Sequence, residues 1–318
     1  MAGPYGELKI FSGRSNPALT DAICGYLDTR TGRAHAETFP DGELFVKLND
    51  DVRGRDVFVV QPTCRPVNEN LLELLIFMDC LRRASARRIT AVLPYFGYAR
   101  QDRKDEGRVP ITAKLVSNLI REAGADRVLT MDLHAAQIQG FFDIPVDHLR
   151  AEPAFSRHFK NLDFRNVVFV SPDVGNVKRA RSYAEKLGCD LAIIDKRRTS
   201  GSTAVVHHII GEVEGRDVLM IDDMIATAGT VCEAARIVVE RGAKSVRGAA
   251  THPVFAGPAL ERLAAAPFTE IVVSDTVPVT NEARKALPNL VTLSVADIFG
   301  EAIARIHKHQ SVSSLFNH

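Results

Sequence analysis

Residues 217–242 have the sequence DVLMIDDMIATAGTVCEAARIVVERG, an apolar run followed by a loop of small residues and then by a helical pattern. The run DVLMIDD (217–223) predicts a strand that is buried on both faces, and the pattern after the loop predicts a helix that ends at Gly242. Successive residues of a strand point to opposite faces, so we expect Asp222 and Asp223 to have different roles. A strand that leads through a short loop into a helix is the repeating unit of an α/β protein.

Short runs of β-branched residues recur along the chain and are typical of parallel strands covered on both faces. They are DVFVVQP (56–62), RITAVLPY (88–95), DRVLTMDLH (126–134), NVVFVSPD (166–173), LAIIDK (191–196) and EIVVSDT (270–276). Helical patterns lie between them, for example over residues 68–84 and from Pro110 to Gly124. The predicted fold class is therefore α/β, with mainly parallel sheets flanked by helices.

The length of the chain predicts more than one domain. Its 318 residues exceed the usual size of a single core. The alternation of strands and helices runs to about residue 150 and then begins again, so we place the domains at residues 1–150 and 151–318. The rhythm of the two halves is similar, but no residue-level repeat is evident.

Composition excludes several classes of partner. The 40 basic and 39 acidic residues give a formal charge of +1, which is too balanced for a protein that binds bulk nucleic acid. No apolar run is long enough for a membrane span, and the N-terminal MAGPYGELKIF does not resemble a signal peptide. The five cysteines are scattered without CxxC spacing, which suits reduced thiols. We therefore expect a cytoplasmic protein without nucleic-acid or membrane partners.

The loop ATAGT (226–230) is the first candidate ligand site. Its residues are small or hydroxylated and lead into a helix, whose free N-terminal amides and dipole favour a phosphate group. Gly229 permits the backbone to approach such a ligand closely. The alternative is an ordinary turn in which Thr230 caps the helix and the aspartates are solvated. Because the chain has neither a GxxxxGK[ST] loop nor a GxGxxG motif after a strand, any nucleotide must be held by other residues.

Two further segments are candidates for contact with a nucleotide. In FPDGELFVKL (39–48), Phe39 precedes a DGE turn, and an aromatic ring can stack on a base. In PYFGYARQDRKDEGR (94–108), Arg100 and Gln101 can donate hydrogen bonds to phosphate or base. Taken singly, a hairpin turn and a solvated charged loop are the more ordinary interpretations.

Ionisable residues also follow predicted strands, where open α/β sheets bind their ligands. His134, in DLHAAQIQ, and Asp173, in SPDVGN, are candidates for holding a metal such as magnesium, although each could instead be structural. Lys196 and Arg198, in DKRR, could neutralise charge on a transferring phosphoryl group, with a solvated cluster as the alternative. The TSGST segment (199–203) after them could close over a substrate.

Together these segments resemble the ribose-phosphate pyrophosphokinase family, also called phosphoribosyl pyrophosphate synthetases. FPDGE, YFGYARQDRK, DLHAAQIQGFFDIPVD, SPDVG, DKRR and IDDMIATAGT follow one another in the family's order over nearly the whole chain. IDDMIATAGT alone is shared with the wider phosphoribosyltransferases. The resemblance implies two phosphoribosyltransferase-like domains, a homo-oligomer that is commonly a hexamer, and transfer of the β,γ-diphosphoryl group of ATP to ribose 5-phosphate.

The resemblance also assigns roles by position. The implied ATP contacts are Phe39, Asp41, Gly42, Glu43, Arg100 and Gln101. The implied ribose 5-phosphate contacts are Arg198, Asp222, Ala226, Thr227, Ala228, Gly229 and Thr230. Lys196 and Arg198 would carry catalysis, and His134 and Asp173 would hold Mg²⁺. Phosphate and ADP are implied as allosteric effectors, in segments that include Arg53, Arg108 and Ser311–Ser314.

Three positions depart from the family pattern. Ala226 stands where the family usually has an aspartate, so a carboxylate expected near the ribose hydroxyls is missing. Asn176 stands where a second glycine is common, and TSGST replaces the usual stretch beyond DKRR. Two alternatives therefore stay open. One is a catalytically weak or regulatory homologue that assembles with an active partner, and the other is a phosphoribosyltransferase.

Overall fold

The chain divides into two compact units in the computed structural model, which describes residues 2–173, 175, 177–198 and 205–315. For residues 2–3, 196–198 and 205–207 the backbone alone is described. The N-terminal unit contains Met1–Ala151, Thr276–Pro278 and Ser294–His318, and the C-terminal unit contains Glu152–Asp275 and Val279–Leu293. Asn176 and the TSGST segment lie outside the described residues.

The N-terminal unit is built on a six-stranded sheet and a separate hairpin. Its strands are β1 Ala2–Gly3, β2 Gly6–Ser12, β3 Ala34–Thr38, β4 Leu44–Leu48, β5 Asp56–Val60, β6 Arg88–Leu93, β7 Arg127–Met131 and β8 Val146–Leu149. The spatial order in the sheet is β1-β2-β5-β6-β7-β8, and β3 pairs with β4. From β2 onward the sheet is parallel, and β1 is antiparallel to β2. Every residue of β5 and β6 is buried, which explains their unbroken apolar runs.

Helices cover this sheet, including the two predicted over residues 68–84 and 110–124, of which the second begins at Thr112 and therefore does not contain Pro110 in its first turn. They are α1 Pro17–Tyr26, α2 Val67–Arg83 and α3 Thr112–Glu122, with a 3-10 helix at Ala136–Phe141. α1 begins with a proline in its first turn, and Asn16 caps it, since its side chain accepts a hydrogen bond from Leu19 N at 3.3 Å. α2 buries Leu74, Phe77 and Met78 in the core of the unit.

The C-terminal unit contains a seven-stranded sheet. Its strands are β9 Val167–Ser171, β10 Asp190–Arg198, β11 Val205–Ile210, β12 Asp217–Ile225, β13 Ser245–Pro253, β14 Glu270–Ser274 and β15 Leu290–Leu293, in the spatial order β11-β10-β9-β12-β13-β14-β15. The sheet is parallel except between β10 and β11. Its helices are α4 Glu152–Phe159, α5 Val177–Leu187, α6 Gly229–Glu240, α7 Ala259–Ala264 and α8 Asn281–Ala286. The predicted fold class, α/β with mainly parallel sheets flanked by helices, is confirmed.

The end of the chain belongs to the N-terminal unit. It contains helix α9 Ala296–His307 and a 3-10 helix at Ser313–Leu315. α9 packs closely on α1, because a Cβ on Gly300 would lie 2.4 Å from Cδ1 of Tyr26. The sequence pattern predicts that these residues belong to the domain at 151–318, since the strand–helix alternation continues through them without a break. The pairing of α9 with α1 is a long-range contact that a local pattern does not report.

A buried ion cluster joins the end of α9 to the N-terminal sheet. Asp56, at the start of β5, is fully buried and accepts hydrogen bonds from Arg88 Nε at 2.8 Å and Arg88 Nη2 at 2.6 Å. Its Oδ2 also lies 2.7 Å from Nδ1 of His307. The ring of Tyr5 covers Arg88, with 4.3 Å between the ring centroid and the guanidinium carbon.

In the described part of the chain, no helix is both long and apolar enough to cross a membrane.

Candidate active site

Two adjacent carboxylates lie towards the end of β12, and one guanidinium contacts both. Arg179, on α5, lies with Nη1 2.9 Å from Asp223 Oδ1 and 3.3 Å from Asp222 Oδ1. Asp222 Oδ1 also accepts a hydrogen bond from the backbone N of Asp223 at 2.8 Å. The Asp222 side chain remains 30% exposed and that of Asp223 only 7%, so the two carboxylates differ in access as strand alternation predicts. Arg179 nevertheless joins them into one charged cluster.

This cluster perturbs the ionisation of Asp222. Desolvation raises the pKa of its carboxyl group above the usual aspartate range, and the neighbouring Asp223 raises it further, while Arg179 opposes both effects. The ionised form of Asp222 is thus incompletely stabilised by the protein itself. A cation, or the hydroxyl groups of a ligand, would stabilise the ionised form of such a carboxylate.

The small-residue loop after β12 has the geometry of an anion site. α6 begins at Gly229, directly after Ala228, which has the left-handed conformation with φ of 59° and makes no side-chain cap. Thr230 lies inside the helix, so the interpretation of Thr230 as its cap is wrong. The first amides of a helix have no partner within the helix, and they favour an anion. The loop therefore presents backbone donors beside the carboxylate cluster on the same strand.

The DKRR segment lies within a strand and not in a loop after one. β10 continues through Arg198, because Lys196 and Arg198 pair in antiparallel register with His207 and Val205 of β11. The sequence pattern predicts a strand that ends near Lys196, since charged residues there resemble a strand end. The side chains of Lys196 and Arg198 lie outside the described residues.

Asp173 follows β9, which lies next to β12 in the sheet. Its side chain is partly exposed, and its carbonyl oxygen accepts a hydrogen bond from Ser171 Oγ at 2.7 Å. A Cβ on residue 175 would lie 3.3 Å from Asp173 Oδ1, so Gly175 leaves room for this carboxylate against the backbone. Asp173 thus follows β9, and the Asp222–Asp223 pair lies on the adjacent parallel strand β12, at the edge where α/β sheets bind ligands.

In the N-terminal unit, the FPDGE segment forms the turn of the β3–β4 hairpin. Phe39 N donates to Glu43 O at 2.8 Å, and Asp41 Oδ1 accepts from Glu43 N at 3.1 Å. Gly42 has a φ of 95°, which explains a glycine at this position of the turn. Phe39 is 40% exposed, and its ring stacks on Phe45 with 5.6 Å between centroids. The hairpin therefore presents a braced aromatic surface to solvent.

The ARQDRK segment lies in the exposed loop between β6 and α3. Arg100 is exposed. Gln101 instead braces the start of α3, because its Oε1 accepts from the Thr112 hydroxyl at 2.5 Å and its carbonyl accepts from Ala113 N at 3.1 Å. The amide nitrogen of the Gln101 side chain remains as the group that can reach a ligand.

His134 is exposed in the turn after β7. Asp132, two residues before it, has a φ of 38° and accepts a hydrogen bond from Ala151 N through Oδ2 at 3.1 Å. Asp132 therefore fixes the backbone of this turn. Among the described residues, no group of three or more His, Cys, Asp and Glu side chains is placed to hold a metal ion.

The residue that sequence reasoning missed is Arg179. It lies inside a helical pattern of the kind that commonly forms a solvated face, and nothing local marks it as a partner of Asp222. The available signal was its place in the helix directly after the Asp173 segment, since that helix follows the strand next to β12.

A parallel α/β sheet with strand-end carboxylates and a loop that leads into a helix start is typical of α/β enzymes that bind phosphate groups. Comparison with known proteins gives the particular family. Residues 8–124 match the family model described as the N-terminal domain of ribose phosphate pyrophosphokinase, and residues 205–317 match the phosphoribosyl synthetase-associated domain. The chain belongs to the ribose-phosphate pyrophosphokinase family, as its motifs predicted.

Full-length relatives support this membership. The chain is 62% identical to the ribose-phosphate pyrophosphokinase of Rhodopirellula baltica, over 98% of each chain. It is 53% identical to that of Gloeobacter violaceus, over 98% of this chain and 93% of the relative. The crystal structure of phosphoribosylpyrophosphate synthetase from Mycobacterium smegmatis superposes with a TM-score of 0.89 at 42% identity, over 94% of this chain and 98% of that one.

Proposed function

We propose that this protein transfers the β,γ-diphosphoryl group of ATP to the anomeric hydroxyl of ribose 5-phosphate. The hydroxyl oxygen attacks the β-phosphorus, the bond from that phosphorus to the bridging α,β-oxygen breaks, and the hydroxyl proton is released. The products are phosphoribosyl pyrophosphate, a precursor in nucleotide biosynthesis, and AMP. Such a transfer depends on alignment and charge neutralisation and needs no covalent enzyme intermediate.

The observation that carries the proposal is the arrangement of β12, the loop 226–230 and α6. The helix-start amides of the loop suit the 5-phosphate of the sugar. Asp222, at the end of the same strand, has a pKa raised by burial and by Asp223, and its carboxylate suits the ribose hydroxyls or a cation near them. One strand–loop–helix unit would thus hold both polar ends of ribose 5-phosphate.

ATP would bind through the segments of the N-terminal unit. Phe39 would stack on adenine with its exposed ring, while Asp41, Gly42 and Glu43 of the hairpin turn would contact the nucleotide. Arg100 and the side-chain amide of Gln101 would donate to the phosphates.

His134 in the N-terminal unit and Asp173 in the C-terminal unit are the residues that would hold magnesium, each within its own unit. Asp173 offers hard oxygen ligands of the kind that Mg²⁺ prefers, and it follows a strand next to the Asp222–Asp223 pair. When bound with ATP, the ion would neutralise charge on the phosphate oxygens. Lys196 and Arg198 would add positive charge at the transferring group, so they should act on turnover more than on substrate affinity.

The wider properties of the protein follow from the same proposal. We expect a cytoplasmic homo-oligomer, commonly a hexamer, with phosphate and ADP as effectors. A cleft of about 870 Å³ in the N-terminal unit is lined by Ser311 and Ser313 of the implied effector segments, together with Arg150, but not by Arg53 or Arg108. Guanidinium and hydroxyl donors of this kind suit phosphate groups.

The test is to incubate the purified protein with ATP, Mg²⁺ and ribose 5-phosphate, and to measure AMP together with phosphoribosyl pyrophosphate. Equal amounts of both products are expected. Lys196→Ala should lower kcat strongly, with a smaller change in KM. An absence of AMP at every phosphate concentration tried would overturn the proposal.

The same assay separates the two alternatives. A regulatory homologue would form AMP only when it is mixed with an active relative. A phosphoribosyltransferase would consume phosphoribosyl pyrophosphate with a nucleobase and would not need ATP.

A further inference from the structure

The loop after β12 is held from one side by the segment 255–262 of the same unit. Ile225 O accepts a hydrogen bond from Phe255 N at 3.0 Å, and Ala226 O accepts from Ala256 N at 2.9 Å. The third carbonyl in the row, that of Thr227, accepts from Nη1 of Arg262 on α7 at 3.0 Å. Three consecutive carbonyl groups thus point towards segment 255–262.

The direction of these carbonyl groups also determines the direction of the loop amides. A trans peptide is planar, and its C=O and N–H point in opposite directions. Because the carbonyls of Ala226 and Thr227 face segment 255–262, the amides of Thr227 and Ala228 face away from it. The first amides of α6, which follow directly along the chain, also lack partners within the helix.

Backbone strain makes the last of these peptides the sensitive one. Ala228 has a φ of 59°, a left-handed conformation that is unfavourable for a residue with a Cβ. Rotation of the Thr227–Ala228 peptide would release that conformation and would turn the Ala228 amide away from the ligand side. Arg262 opposes the rotation, since it holds the Thr227 carbonyl with a charged donor.

The positive charge of Arg262 also favours an anion at this loop, in addition to its hydrogen bond. A Cβ on Gly229 would lie 3.4 Å from Arg262 Nη1, so the guanidinium lies directly behind the start of α6. The neighbouring part of α7 is anchored, because Ala259 and Leu263 are buried in the core. The cation therefore has a fixed base, although the Arg262 side chain lies at the surface.

We propose that Arg262 is a positioning residue for the phosphate of ribose 5-phosphate. It fixes the Thr227–Ala228 peptide so that the loop amides face the ligand, and it places a positive charge behind them. This inference rests on the proposed function, because it concerns the sugar-phosphate site of that reaction.

The experiment compares Arg262→Met with the wild type. Calorimetric titration with ribose 5-phosphate should show a Kd about tenfold higher in the variant, equal to about 1.4 kcal/mol. KM for ribose 5-phosphate should rise by a similar factor, while kcat and KM for ATP change by less than about threefold. Arg262→Lys, which keeps a charged donor, should recover most of the affinity.

Ala228→Gly separates positioning from charge alone. Glycine adopts the left-handed conformation without strain, so this change in the Arg262→Met background should improve the affinity again, by about threefold. No improvement in the double variant would overturn the inference that Arg262 acts by holding the peptide. An unchanged Kd in Arg262→Met itself would overturn any role for this residue in the site.

The matched control is Arg241→Met. Arg241 is an exposed arginine at the opposite end of α6, about 18 Å from the loop for a helix of this length. It should leave the affinity for ribose 5-phosphate unchanged. The calorimetric comparison stands apart from catalysis: absence of AMP from the wild type would overturn the proposed function, whereas an unchanged Kd would overturn the role of Arg262.

Discussion

The two sheets each carry a cluster of aspartate and arginine, but the clusters differ in burial and in charge balance. In the N-terminal unit, one carboxylate, Asp56, faces both Arg88 and His307. In the C-terminal unit, Asp222 and Asp223 share the guanidinium of Arg179, and desolvation together with the neighbouring Asp223 raises the pKa of Asp222. The first cluster satisfies its carboxylate within the fold, so it is structural. The second leaves a carboxylate that a ligand can stabilise, so it is suited to function.

The largest effect should come from breaking the first cluster. Asp56→Ala would leave Arg88 buried without its carboxylate partner, and truncation of one member of a buried ion pair typically costs about 3–5 kcal/mol. We expect a loss of this size in the free energy of unfolding, measured by urea denaturation with circular dichroism at a fixed protein concentration. Adding Arg88→Met should recover part of the loss, because it removes the orphaned charge.

Asp79→Ala is the matched control in the same unit. Asp79 also pairs with two cations, Arg82 at 3.1 Å and Arg83 at 2.6 Å, but its side chain is 36% exposed. Exposed pairs of this kind contribute little to stability. Similar denaturation midpoints for Asp56→Ala and Asp79→Ala would contradict the structural role assigned to Asp56.

Removal of a negative charge from the second cluster should increase stability, whereas removal of Asp56 from the first cluster should reduce it. Asp222→Asn should lower kcat/KM for ribose 5-phosphate about 100-fold, equal to about 2.7 kcal/mol, because the carboxylate that would contact the ribose is lost. The same change should increase stability at pH 8. Since folding raises the pKa of Asp222, the folded wild type binds a proton more readily than the unfolded chain does, and it loses stability as pH rises through the raised pKa.

Denaturation at several pH values tests whether Asp222→Asn increases or decreases the stability of the protein. The advantage of Asp222→Asn over the wild type should be greatest above neutral pH and should shrink as pH falls towards the usual aspartate range. Asp217→Asn, at the start of the same strand, is the control, and it should change stability in the opposite direction. The Ser245 hydroxyl lowers the pKa of Asp217, so that variant should lose stability at neutral pH and keep its activity. A stability loss in Asp222→Asn at pH 8 would contradict the charge argument.

The comparison also shows what the sequence could and could not predict. The strands around Asp56 and Asp222 were evident, because unbroken apolar runs report burial on both faces of a parallel sheet. The loop 226–230 was evident for a similar reason, since small residues before a helical pattern predict an exposed helix start. Each of these signals is contained within about ten residues of the chain, as strand and helix lengths allow.

The partners of those residues were not evident. Arg179 lies more than forty positions before Asp222, and His307 lies 251 positions after Asp56. Both contacts are made only when helices from distant parts of the chain pack on their sheets. For the same reason, the extension of β10 to Arg198 depends on pairing with β11, and the association of α9 with the N-terminal unit depends on α1.

The smallest effect should come from Ala226, where the motif resemblance leads us to expect an aspartate. Its carbonyl is already held by Ala256 N at 2.9 Å, so the loop shape does not depend on the missing side chain. An aspartate there would add a third carboxylate to the strand-end segment that carries Asp222, whose pKa is already raised by desolvation and by Asp223. We therefore expect Ala226→Asp to change kcat by less than about threefold, or about 0.6 kcal/mol.

In Ala226→Asp, the pH below which activity falls should move upward, since a further negative charge disfavours ionisation of Asp222. Ala226→Asn, which has a similar shape without the charge, should leave the pH profile in place. A tenfold gain in kcat from Ala226→Asp but not from Ala226→Asn would identify the alanine as a loss of function and would favour the regulatory alternative.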